Sequence, residues 1–389
     1  MITHEVSAMF KYCLALISLC FNSCSTNDGS FIQTYGERGP DRGIHIIQTS
    51  DENFVIVGNT STEAKDLDVY LLKIDASGDT VWTRKFGGPG DDNGWCIKET
   101  SDKGFIIAGF TNSSATSPND VLLIKTDASG KKEWRRQFGG PGDDIGWSIV
   151  INNDGGYTIA AQTNSFGNGE LDAYLIRTNA GGDTLWTKTF GGSQTDRVFS
   201  IDKTSDDGFV AAGITYSYGA GDRDAYLIKT DENGQLLWER TFGGAGYDNA
   251  HTVIIDQSNE VILTGYGEYW GNSNNMNIFL KKITMQGEEV WSKTYGGPSH
   301  DRAMTVFQTQ DEGFILTGFT QSFGQGEWDV YAVKTDSVGD TIWTSTYGTP
   351  APDFGYDIIQ SKSGEYYITG WSHGYADPEG DLLIIKLGH

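Results

Sequence analysis

Three arginines occupy one repeating position in a strongly acidic sequence, each directly after an aspartate: Asp41-Arg42, Asp196-Arg197 and Asp301-Arg302. Elsewhere the same position holds Asn93, Ile145, Asn249 and Phe354. A planar guanidinium presents a fork of donors that matches a carboxylate or a sulfate, so these arginines are candidates for anion capture. Local pairing with the adjacent aspartates is the other use open to them. Aromatic side chains gather in nearby polar segments, Tyr218, Trp270 and Trp328 among them, and the stretch Tyr266–Asn277 reads YGEYWGNSNNMN. Rings beside Asn and acidic groups suit the apolar faces of sugars, and equally suit protein interfaces.

A second chemistry is proton transfer. His251, His300 and Tyr269 fall in or beside the same variable unit and are the candidates to move a proton on a bound acidic polysaccharide. Neither G-x-S-x-G nor H-E-x-x-H occurs, and no Asp-x-Asp-x-Asp-Gly calcium loop is present. Aspartates do recur in two columns, Asp41, Asp92, Asp144, Asp196, Asp248, Asp301 and Asp353, then Asp68, Asp120, Asp172, Asp224, Asp329 and Asp381 with Asn277 among them. Such rings suggest cation sites, but a column that repeats this strictly is expected to cap loop N–H groups as Asx-turns. No metal and no cofactor are expected. Three positions after the first aspartate stand Ile44, Trp95, Trp147, Phe199, His251, Met304 and Tyr356. These residues are read either as inter-blade core or as a sugar-binding mouth.

The charge balance narrows the partners. Acidic residues number 52 against 28 basic ones, a formal net charge of −24. Such a surface repels phosphate backbones, so a nucleic-acid partner is not expected. A glycan or an envelope protein is.

Residues 1–24 read as a leader. Lys11 precedes the apolar run Tyr12–Phe21, then Asn22-Ser23-Cys24-Ser25 follows, with Met9 as an alternative start to Met1. The run is shorter than the roughly 20 residues needed to span a bilayer. Ser23-Cys24-Ser25 resembles the lipid-accepting site of bacterial lipoproteins, with Phe21 where the usual box has Leu. The resemblance implies acylation of Cys24, residues 25–29 as a tether, and an outer-membrane address held through the lipid alone. Cys13, Cys20 and Cys24 all lie in this leader, and Cys96 in the body reads as a small buried residue.

The elements that must position these groups come from a repeat. Tryptophans at 82, 134, 186, 238, 291 and 343 are spaced by 52 or 53 residues. A fixed period near 50 marks a solenoid or a propeller. Each unit holds four strand-like runs, in the second unit Gly94–Thr100, Gly104–Thr111, Val121–Asp127 and Lys132–Phe138, separated by glycine-bearing turns. The third run occurs seven times but the tryptophan run six times, and Phe31–Tyr35 (FIQTY) matches the end of a missing fourth run. The fold expected is all-β: a seven-bladed β-propeller of four-stranded antiparallel blades over residues 30–389, closed by the N-terminal strand. The recurring tryptophans are expected to pack between blades.

Units such as Phe138–Trp186 resemble the bacterial seven-bladed β-propeller repeat family, and the Asp-x-x-Gly-x-x-x-Trp hairpin at Asp75–Trp82 is similar to quinoprotein-type repeats. The resemblance implies the fold, but no reaction and no catalytic set. The function expected is a non-catalytic envelope lipoprotein that binds a polysaccharide or a protein on its loop face. The alternative is a polysaccharide lyase or glycosidase on the same scaffold.

Overall fold

The apolar runs between the turns form antiparallel strands throughout. In the second unit they are Asp92–Glu99, Phe105–Thr111, Asp120–Thr126 and Lys132–Phe138. The first begins earlier than the run read from the sequence, because Asp92 and Asn93 already pair with Thr111 and Phe110. The computed structural model describes residues 23–25, 29–36, 39–61, 66–113, 118–270, 275–375 and 379–388. Most of the leader and residues 26–28 of the tether lie outside the described residues, and only the backbone of Cys24 is described.

Six sheets have four strands and the seventh has five, and among the described residues there is no helix. The sheets stand around one axis as blades. Each blade's first strand packs against the next blade's, and that of the seventh, Asp353–Gln360, packs against that of the first, Asp41–Gln48. Phe31–Tyr35 completes the seventh blade, pairing antiparallel with Asp381–Leu387. The ring is therefore closed by the N-terminal strand, as the strand count required. Beyond it, Ser23–Ser25 lies antiparallel as an outermost fifth strand, with Cys24 opposite Ile32.

Second and third strands are buried on both faces, for example Tyr157–Thr163 and Asp172–Thr178, which is why they read as unbroken apolar runs rather than alternating ones. The tryptophans seal the blade junctions. Trp82, Trp134, Trp186, Trp291 and Trp343 each meet the aromatic that opens the next blade's second strand, at centroid distances of 5.9–6.3 Å. Trp238 instead donates its Nε1–H to the Met285 carbonyl at 3.0 Å. The glycine of the hairpin motif has a reason here. Gly130, at φ +75°, lies flat on Trp82, and a Cβ there would come 2.9 Å from the indole.

An ion pair between a buried base and, in most blades, an exposed acid repeats around the ring and was not read from the sequence. Lys73, Lys125, Arg177, Lys229, Lys282, Lys334 and Lys386, near the ends of the third strands, reach acids in the hairpin between first and second strands, Asp51, Asp102, Asp154, Asp206, Asp256, Asp311 and Glu365. One basic residue in each blade thus serves the scaffold.

Candidate functional site

The loops joining second to third strands and those joining one blade to the next emerge on one face. Their conformation is held by the aspartate columns. Asp144, Asp196, Asp248 and Asp301 each accept an N–H from the glycine four residues before, at 2.7–2.8 Å. Asp172, Asp224 and Asp329 each accept two N–H groups from the loop that precedes them. These carboxylates are loop caps, and among the described residues no group of three His, Cys, Asp or Glu is arranged to hold a metal.

The aspartates beside the arginines are therefore engaged with backbone. Asp301 bonds Gly297 and the hydroxyls of Thr320 and Ser322, not Arg302. Arg42, Arg197 and Arg302 make no ion pair with any described carboxylate. Aromatic faces hold them instead. The Arg302 guanidinium lies over Tyr266, Trp328 and Phe319 at 5.1, 5.3 and 5.9 Å. Arg42 lies over Trp371 at 4.2 Å. Between them Phe354 packs edge-on to Phe319 at 4.9 Å and stacks on Trp371 at 5.7 Å. The result is a continuous arc beside the axis, from blade five through six and seven to blade one, whose rings face arginines and one another.

Inside that arc runs a second ring. In all seven first strands one residue is bulged out of register: Ile44, Trp95, Trp147, Phe199, His251, Met304 and Tyr356. These residues are half-buried and belong to none of the inter-blade core clusters. They meet each other around the axis, Trp95 against Trp147 at 4.8 Å, Trp147 against Phe199 at 5.3 Å and Phe199 on His251 at 5.7 Å. The inter-blade-core reading of this position is thus corrected: a bulge turns the side chain out of the blade. His251 hydrogen-bonds the Met304 carbonyl through Nδ1 at 2.8 Å, and burial lowers its pKa to about 4, so the ring is neutral near pH 7. On the next turn of the strands lie His45 and Asp357, 3.8 Å apart. Burial, with Lys98 adding to it, holds His45 well below its ordinary value, and burial lifts Asp357 to about 6 against the N–H bonds it accepts from Ile46 and Ile358.

The remaining candidates are dispersed. Tyr218 and Trp270 belong to a column with Phe166 and Phe323. Each covers the aromatic of its own third strand: Phe166 on Tyr174, Tyr218 on Tyr226, Trp270 on Phe279 and Phe323 on Tyr331, at 4.0–6.1 Å. They are a repeated packing device, not departures from the repeat. Tyr269 is 62% exposed and touches Trp270 edge-on. His300 accepts the Met276 N–H through Nδ1 in the loop between blades five and six. No hydrogen bond or ring contact among the described residues joins His251, His300 and Tyr269.

Sequence reasoning passed over Arg223. It precedes the capping Asp224, and its guanidinium lies over Tyr247 at 5.1 Å and Tyr216 at 5.9 Å. In the same column stand Leu67, Asn119, Leu171, Met276, Trp328 and Gly380, where the backbone is tied to the next blade (Asp248 N–H to Arg223 O, Asp353 N–H to Trp328 O, both 2.8 Å) and the side chain is left free to vary. Comparing that column would have found it.

No family model matches the chain. The regulatory protein FlaEY of Caulobacter vibrioides is 27% identical over 175 residues, which is 37% of this chain and 18% of the length of that protein. Among solved structures, polysaccharide lyase Uly1 is similar at a TM-score of 0.55 with 10% identity, over 91% of both chains. YCF48 bound to D1 peptide gives 0.53 with 11% identity, over 96% of this chain and 100% of that one. BBS1N in complex with ARL6DN gives 0.52 with 11% identity, over 95% and 98%. At these identities the likeness establishes the fold, a seven-bladed β-propeller.

Proposed function

We propose that this chain is a non-catalytic binding protein of the cell envelope, held to the outer membrane through acylated Cys24. On its loop face it captures a carboxylate-bearing segment of a protein partner. The observation that carries the reading is Arg302, stacked among Tyr266, Trp328 and Phe319 with no carboxylate partner. Stacking fixes the plane of the guanidinium and leaves its N–H edges to meet a ligand. The rings of the arc face arginines and one another, so a ligand meets donor edges rather than open aromatic faces. That favours protein carboxylates over stacked sugars. YCF48, of the same fold, is known bound to a peptide.

The test is fluorescence titration with an oligoglutamate peptide and with polygalacturonate at matched ionic strength. The peptide is expected to bind, and to bind at least tenfold more weakly to Arg302→Gln. Equal binding by the variant overturns the reading, as does binding of polygalacturonate alone. Growth of the unsaturated-uronate absorbance on incubation with the polysaccharide would make the chain a lyase instead.

A further inference from the structure

Blade four carries two arginines on either side of Tyr216: Arg197 pairs opposite Ile214, two residues before that tyrosine, and Arg223 reaches its hydroxyl. Arg197 is the second residue of the first strand, Asp196–Lys203, and Arg223 ends the loop before the third, Asp224–Thr230. Arg223 is fixed by its backbone, which bridges to Tyr247 and accepts the Asp248 N–H. The guanidinium packs on Tyr247 and Tyr216, and Nη1 reaches the Tyr216 hydroxyl at 3.4 Å. That hydroxyl accepts from Arg223 and keeps its own hydrogen to donate.

Both side chains are half-buried, and the Nε atoms of both are enclosed without a hydrogen-bond partner. The carboxylates adjacent in sequence are engaged elsewhere. Asp196 takes Gly192 N–H and the Ser217 hydroxyl, and Asp224 takes Ala220 and Gly221 N–H. Arg197 is accordingly pushed below its ordinary value by burial, with Arg223 adding to the effect and only Tyr216 opposing it. Two guanidiniums without a protein counter-ion, in a chain of net charge −24, leave donors that suit an anion from outside.

We infer that Arg197, Arg223 and the Tyr216 hydroxyl form a site for a tetrahedral oxyanion, the phosphate or sulfate group of a ligand. One fork from a strand, one from a loop and one hydroxyl offer more donors than a single planar carboxylate accepts, which suits a tetrahedral group. Two positive charges favour a phosphate monoester, which approaches two negative charges near pH 7, over a singly charged sulfate ester. The site is separate from the arc of blades five to one and stands whether or not Arg302 binds a peptide.

The experiment is thermal unfolding of the full chain with inorganic phosphate, sulfate, glucose 6-phosphate, a sulfated monosaccharide and acetate, each against chloride at equal ionic strength. Phosphate or sulfate is expected to raise Tm above the chloride control, and Arg223→Gln to weaken binding at least tenfold. The two sugar esters show which group the ligand carries. Without anion, Arg223→Gln is expected to have a Tm no lower than wild type, because it relieves repulsion between like charges. A lowered Tm with an unchanged phosphate response makes the arginine structural and overturns the site. A phosphate shift equal to chloride overturns it as simple screening, and an equal shift with acetate in the Arg302→Gln background, where the carboxylate-binding arginine is absent, overturns the ligand class. Arg223→Lys keeps the charge without the fork and is expected to bind with intermediate affinity. Arg302→Gln is expected to leave this response unchanged.

Discussion

The Tyr35 hydroxyl donates to the Gly78 carbonyl at 2.6 Å, so the strand that completes blade seven is also fastened to the outer turn of blade one. The same contact recurs between Tyr295 and Gly339 at 2.7 Å. A repeated inter-blade bond thus becomes, at one position, the bond that locks the ring. Tyr35→Phe keeps the ring packing and removes the donor, which is expected to cost about 1 kcal/mol in denaturant unfolding. Deleting residues 30–35 removes the whole strand and exposes the edge of Asp381–Leu387, so a much lower Tm and aggregation are expected. A deletion variant as stable as wild type would contradict the closure.

The repeated ion pairs predict an asymmetry. Lys229 is almost fully buried and donates to Asp206, the Thr204 hydroxyl and the Thr230 carbonyl at 2.9–3.0 Å. Asp206→Asn leaves that ammonium without its counter-charge, and because Asp206 is itself 57% exposed the expected cost is about 1–2 kcal/mol. Lys229→Met removes the buried charge with the pair and should cost less, about 1 kcal/mol, because a pair costs desolvation that its removal returns. Urea midpoints of the two variants give the order, and the reverse order would show that the pair itself is strongly stabilising.

His251 makes stability depend on pH in a defined window. Its pKa falls from 6.5 to about 4 on folding, so the unfolded chain binds the proton more tightly. The contribution is complete above pH 6.5 and is lost as pH falls toward 4. Asp357, raised to about 6, acts in the opposite sense, losing stability as pH rises through the carboxylate range to 6. His251→Asn keeps a donor for the Met304 carbonyl but does not titrate. Between pH 7 and pH 5 it is expected to lose about 1–2 kcal/mol less than wild type. Parallel pH curves for the two proteins would mean that folding leaves the imidazole pKa unshifted.

Acylation at Cys24 is checked by fractionation. Cys24→Ala is expected to move the protein from the membrane to the soluble fraction and to abolish palmitate labelling. Labelled, membrane-bound variant protein would place the anchor elsewhere.

The fold was legible because the period, the tryptophans and the unequal strand count are properties of order along the chain. The site was legible only in part. Arg42, Arg197 and Arg302 stand out because they break a column, but their aromatic partners come from neighbouring blades and cannot be matched by spacing. Trp95, Trp147 and His251 were open to two readings because a bulge leaves no mark in hydrophobic alternation, yet it decides which way those side chains point. Tyr218 and Trp270 looked like departures until the third-strand rings beneath them, Tyr226 and Phe279, showed the shared packing.

Trp270 and Arg302 should therefore fail in opposite ways. Trp270 lies on Phe279 at 4.0 Å, packs against the core between blades four and five, and carries Lys281 over its ring at 5.6 Å. Trp270→Ala removes that cover from a buried aromatic, and a loss of about 1–3 kcal/mol in stability is expected. Binding of an acidic peptide to the folded protein should be unchanged, because no ring of the arc touches this indole. Arg302 contributes no ion pair to the scaffold, and its Nε has no protein acceptor. Arg302→Gln leaves Tyr266, Trp328 and Phe319 to pack on a shorter polar chain, so Tm should move little. A charged hydrogen bond to the ligand contributes about 1.5–3 kcal/mol, and affinity is expected to fall by that amount. Unfolding and peptide titration on the same two preparations decide the matter. A stable Trp270→Ala that has lost the peptide, beside an unstable Arg302→Gln that still binds it, would move the binding surface outward to the loops and return Arg302 to the core.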